Sequence, residues 1–115
     1  MKQLKFKFDL SCKVCIYVPA TINVNEQIDN SEYVERVIKQ LATMFGGATA
    51  SQAVGGWVCE SGEVVLENTT IVYSFCTEKD LQERISDVLS ICNELKLELS
   101  QEAISLEING QLAFV

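Results

Sequence analysis

The sequence predicts an α+β fold: a two-layer sandwich in which an antiparallel sheet of about five to six strands carries two helices on one face, ferredoxin-like in outline. Three observations predict it. Short runs rich in β-branched and aromatic residues alternate with period two, as half-buried strands do. Two longer segments instead place apolar residues at helical spacing. Neighbouring strand runs are joined by hairpin-length turns, which favours antiparallel pairing with the helices gathered on one side. At 115 residues, with 48% hydrophobic and 22% charged side chains and a single proline, the composition is that of one globular domain, 1–115.

The elements follow in order. Residues 3–8 alternate lysines and glutamine with Leu4, Phe6 and Phe8, and 13–18 resume the pattern after a break at Leu10-Ser11. The lysine-rich segment 1–13 is therefore a strand or extension, forming either a hairpin or the start of one long strand. Val14, Ile16 and Val18 share one face, with Cys15 and Tyr17 on the other. Pro19 ends the strand, and 20–30 reads as a polar loop. The first helix begins at Asp29-Asn30-Ser31, with Glu32 three residues after Asp29 as a capping-box variant. Its apolar stripe is Val34, Val37, Ile38, Leu41 and Phe45, and Gly46-Gly47 stops it. The small-residue stretch 48–56 is expected to be a tight, closely approaching loop leading into Trp57-Val58-Cys59. Ser61-Gly62 turns into 63–66, and 69–76 is the strongest strand signal. Thr77 caps a second helix that runs to about Leu99, with Asp80 at its third position. Strands 103–108 and 111–115 flank Asn109-Gly110, a hairpin turn.

Charge divides the chain unevenly. The net charge is −7. Lys2, Lys5, Lys7 and Lys13 face only Asp9 in the first 13 residues, so the rest carries five basic and fifteen acidic side chains. An acidic body disfavours direct nucleic-acid binding, which needs clustered Lys and Arg to neutralise phosphate. No stretch approaches 18 apolar residues, and the N-terminus mixes charges with apolar residues in place of a signal-peptide block, so no membrane contact and a cytoplasmic location are expected.

The residues that carry chemistry offer few catalytic options. There is no histidine, so no serine or cysteine has an imidazole to activate it. Cys12-x-x-Cys15 lacks the second pair that structural zinc requires, and within a strand the two point to opposite faces. With Cys59, Cys76 and Cys92 they read as reduced, mostly buried thiols. The 46–56 stretch lacks the Gly-Lys-Ser/Thr ending of a phosphate loop. Neither cofactor nor metal is expected, and no catalytic residue stands out. The remaining ordered feature is an acidic stripe on the second helix: Asp80, Glu83, Asp87, Glu94 and Glu98 fall within an arc of roughly 60° at about 100° per residue. The stripe spans about 27 Å at 1.5 Å per residue, enough to face an extended basic groove.

Two segments are familiar together. They are 17–26 (Tyr-Val-Pro-Ala-Thr-Ile-Asn-Val-Asn-Glu) and 44–50 (Met-Phe-Gly-Gly-Ala-Thr-Ala) leading to Gly55-Gly56-Trp57-Val58. With Gln101-Glu102-Ala103 and the terminal Asn-Gly hairpin, they resemble small proteins of phages, plasmids and integrative elements of Gram-positive bacteria. The resemblance covers about 13–115. Proteins of this size and charge from such elements include type II anti-CRISPR inhibitors, so it implies a non-enzymatic inhibitor. The stripe Asp80, Glu83, Asp87, Glu94 and Glu98 would then block a basic groove of a protein target such as an RNA-guided nuclease. The alternative is a small-molecule or peptide-binding domain using the 20–30 and 46–56 loops, with Thr49, Ser51, Gln52 and Trp57 as contacts. A bare sheet face and free edges leave room for a homodimer.

Overall fold

The computed structural model describes residues 5–23 and 25–115. Nine elements run in the order β1 (Cys12–Pro19), β2 (Thr21–Ile22), β3 (Glu26–Gln27), α1 (Ser31–Phe45), β4 (Thr49–Val58), β5 (Val64–Cys76), α2 (Glu78–Glu98), β6 (Ser105–Ile108) and β7 (Gln111–Phe114). Five strands form one antiparallel sheet in the order β4-β5-β1-β6-β7, and β2 pairs with β3 separately. The sequence-predicted α+β sandwich is therefore the fold. With β7 set aside, the order is that of the split β-α-β of ferredoxin-like domains, each helix crossing over one intervening strand.

Period-two alternation in β1 decides the layering. Val14, Ile16 and Val18 are fully buried against the helices, joined by Val72, Leu106, Val37, Leu41, Val88, Cys92 and Leu95. The helix ends follow their residues. Gly46 caps α1 with φ +95, and the Thr77 side chain accepts from the Asp80 N–H at 3.1 Å. Asn109 and Gly110, at φ 52 and 82, make the tight turn between β6 and β7.

Five local expectations need correction. Residues 1–4 lie outside the described residues, and 5–11 form no strand. The cause is a missing partner: Cys12 pairs with Cys76, the last residue of β5, and β6 reaches only as far as Val14. The 48–56 stretch is strand rather than loop, because ten consecutive residues of β4 pair with β5 and tertiary pairing overrides the poor strand propensity of Gly and Ala. The same pairing carries β5 unbroken through Asn68, fusing two expected strands into one of 13 residues. The 20–30 segment is no open loop, since Thr21 pairs with Gln27 and Ile22 with Glu26. Asp29 forms no capping box; its carboxylate accepts from the Ser31 N–H at 3.0 Å.

Candidate functional site

The helices cover only one face of the sheet. On the other face Tyr17, Glu67, Thr69, Trp57, Gln101 and Ser105 line a cleft of about 220 Å³. Strand register assembles it. Tyr17 projects from β1 on the side opposite Ile16, and β5 presents Glu67 on the same side. Gly55 of β4 lies directly opposite Glu67, and Trp57 is two residues further along on the same face. Trp57 is 44% exposed and the Glu67 side chain is half-buried. Gly55 has ordinary strand backbone, and a Cβ there would meet only the Glu67 carbonyl, at 3.9 Å. Glycine is therefore not required by sterics within the chain; its missing side chain leaves the cleft open between Trp57 and Glu67.

Hydrogen bonds fix the polar groups. Thr21 Oγ1 donates to Glu67 Oε1 at 2.8 Å, and Gln101 Nε2 donates to the carbonyls of Thr21 and Leu99 at 3.0 and 3.1 Å. Tyr17 donates to Glu107 Oε1 at 3.1 Å. Burial, then the bond to Glu107, pushes the Tyr17 hydroxyl above its ordinary pKa, so it stays protonated and donating. Cys15 lies beside them on the same face, only 3% exposed, and burial followed by the Glu107 charge pushes its thiol up. The cleft thus combines aromatic walls, one hydrogen-bonded carboxylate and a space without side chain. It suits a flat ring that stacks on an aromatic face and a positive centre held near a carboxylate.

The expected site residues are scattered. Asp80, Glu83, Asp87, Glu94 and Glu98 all lie along α2, on the far side of the molecule from the cleft. Part of their charge is already matched: Arg36 of α1 pairs with Glu98, its Nη1 3.2 Å from Oε1, and Arg84 pairs with Asp87 at 3.2 Å. Arg36 holds the Glu98 carboxyl below its ordinary pKa. A groove of about 540 Å³ runs beside the stripe, but its cations Arg36, Lys39 and Arg84 are each paired with an acid. Thr49, Ser51 and Trp57 share the bare face of β4, whereas Gln52 points to the opposite side; none is on a loop. Cys12 faces the core opposite Cys76 and Cys15 faces outward, so the Cys-x-x-Cys pair is split, and all five thiols are free. Among the described residues no metal-ligand cluster occurs, and no helix is long and apolar enough to cross a membrane.

Of the cleft residues, only Trp57 stood out in the sequence. Tyr17, Thr21 and Gln101 lie in segments that carry the resemblance, but neither they nor Glu67 and Glu107 were marked as site residues. The one local signal is Glu67, a charge set in a Val-Val-Leu strand run where an apolar side chain would be ordinary.

No family model and no curated protein matches the chain. Among solved structures, a phage SAM lyase in complex with S-methyl-5'-thioadenosine shares the fold with a TM-score of 0.68, at 17% identity, over 98% of this chain and 95% of that one. A phage SAM lyase in the apo state does so at 16% identity, with the same TM-score, over 99% and 95%. At these identities the likeness is one of fold, and it runs end to end. It contradicts the expected non-enzymatic inhibitor of anti-CRISPR type, because the proteins that share the architecture end to end are lyases. Both neighbours are phage proteins, in keeping with the mobile-element resemblance.

Proposed function

We propose that the chain is a phage enzyme that binds S-adenosylmethionine in the bare-face cleft and releases S-methyl-5'-thioadenosine. The observation that carries this reading is the end-to-end likeness to phage SAM lyase, at a TM-score of 0.68. The cleft supports it, since an adenine ring matches Trp57 and a sulfonium matches Glu67.

The chemistry asks little of the protein. S-methyl-5'-thioadenosine keeps the methyl and adenosyl carbons on sulfur, so the bond that breaks joins sulfur to Cγ of the aminocarboxypropyl arm. The sulfonium leaves with the bonding pair as a neutral thioether and needs no general acid. In a lyase no water enters. The arm's own carboxylate closing on Cγ supplies the new bond and needs no base, which agrees with a chain that has no histidine. Catalysis then rests on holding the arm folded over its own sulfur. In this reading Trp57 anchors adenine, Glu67 faces the sulfonium, and Tyr17, held by Glu107, supports the arm.

Incubation of the purified protein with S-adenosylmethionine, followed by chromatography and mass analysis, tests the reading. S-methyl-5'-thioadenosine is expected to accumulate catalytically, and Glu67→Gln is expected to slow its release by about 10²-fold, the scale of one lost electrostatic contact. Absence of product together with no calorimetric binding of either compound would refute it.

A further inference from the structure

Thr21 is only 5% exposed, yet it bonds to both walls of the cleft. Its Oγ1 donates to Glu67 on β5, and its carbonyl accepts from Gln101 on the connection between α2 and β6. Its backbone belongs to the short β2–β3 ladder, which is tied down around it. Ala20 N–H donates to Asn68 O at 3.2 Å, Ile28 N–H to Ala20 O at 2.9 Å and Asn23 N–H to Leu99 O at 3.0 Å. The backbone that carries this buried hydroxyl is held in place, so the bond to Oε1 restrains the half-buried Glu67 carboxylate. A carboxylate fixed in advance of binding attracts a cation more strongly than one that must reorient.

We propose that Thr21 is a positioning residue: by fixing Glu67 it gives the cleft its preference for a positively charged ligand over a neutral one of the same shape. This rests on the reading that the cleft takes S-adenosylmethionine, and it adds that the discrimination is set by a residue in the 20–30 segment that touches Glu67 rather than the substrate. Thr21→Val keeps the branched shape and removes the donor; Thr21→Ser keeps the donor.

Calorimetry with two uncleaved ligands tests the proposal. Sinefungin carries an ammonium in place of the sulfonium, and S-adenosylhomocysteine has the same arm on a neutral sulfur. Thr21→Val is expected to weaken sinefungin about tenfold, the scale of one charge-assisted hydrogen bond, while S-adenosylhomocysteine changes less than about twofold. Thr21→Ser should restore the preference, and in a Glu67→Gln background Thr21→Val should add nothing. Equal weakening of both ligands, no weakening of either, or additive effects of the Thr21 and Glu67 changes would each overturn it. Thr21→Ala, which introduces no new clash, replaces the valine variant should that one not fold. Wild-type protein that binds neither ligand removes the substrate reading and this proposal together; wild-type binding with an unchanged Thr21→Val removes the proposal alone.

Discussion

The two faces of the central sheet are made from the same strands and do opposite things. On β1, Val14, Ile16 and Val18 face the helices and are fully buried, while Lys13, Cys15 and Tyr17 face the other way. On β5, Val72 and Cys76 belong to the core, whereas Glu67, Tyr73 and Phe75 lie on the bare side. The covered face holds apolar groups that gain by leaving water. The bare face holds hydroxyls, carboxylates and aromatic rings in fixed positions without a covering layer. Folding is secured by one set of alternating residues, so the other set is free to carry a site.

This division makes the two faces separable by mutation. The largest effect belongs to the covered face. Ile16→Ala is expected to lower unfolding free energy by about 2–5 kcal/mol, measured by denaturant titration, with little change in turnover per folded molecule. A comparable loss of turnover per folded molecule would break the comparison.

Buried thiols extend the contrast to pH. Cys92 lies in the core, and burial pushes its pKa from the ordinary 9.0 to about 11. Between those values the unfolded chain has lost its proton and the folded chain has kept it, so stability falls as pH rises through that window. The fall attributable to Cys92 is about 2–3 kcal/mol when complete. Melting curves at successive pH values should show it in wild type and show it reduced in Cys92→Ala. An unchanged slope in that variant would place the loss on other groups.

On the bare face the balance reverses. Gly55→Val should leave the melting temperature within a few degrees, because the new Cβ meets only ordinary contact. It should also weaken S-adenosylmethionine binding by more than about tenfold, a cost comparable to misfitting a methylene or more in a shaped pocket. Tyr17→Phe removes the donor to Glu107 and should cost no more than about 1 kcal/mol of stability while slowing product release. The smallest effect lies on the outer surface of α2. Glu98→Gln breaks the pair with Arg36, and since both groups are well exposed it should cost a few tenths of a kcal/mol. Arg36 keeps the Glu98 carboxyl below its ordinary pKa, so the pair's contribution is present above the unfolded carboxylate pKa and is lost as pH falls through the lower folded value. Salt titration of the melting temperature, with and without the substitution, checks it.

The acidic stripe shows why surface chemistry misleads when read along one helix. Asp80 to Glu98 do lie along α2, as spacing requires, but Arg36 stands 62 residues from Glu98 in the chain and matches its charge from α1. The cleft was hidden for the same reason. Thr21 and Glu67 are 46 residues apart, Tyr17 and Glu107 are 90 apart, and neither pair leaves a local pattern.

The sequence by itself determined the α+β class, the shared face of Val14, Ile16 and Val18, the Thr77 and Gly46 caps and the Asn109-Gly110 turn, because each depends on backbone geometry within a few residues. Tertiary structure alone decided that the Ala- and Gly-rich 48–56 segment is a strand, that 5–11 is not, and that Glu67, Trp57 and Tyr17 meet. Those outcomes depend on which strand lies alongside which. Pairing partners are chosen by the whole sheet, and no single segment contains that information.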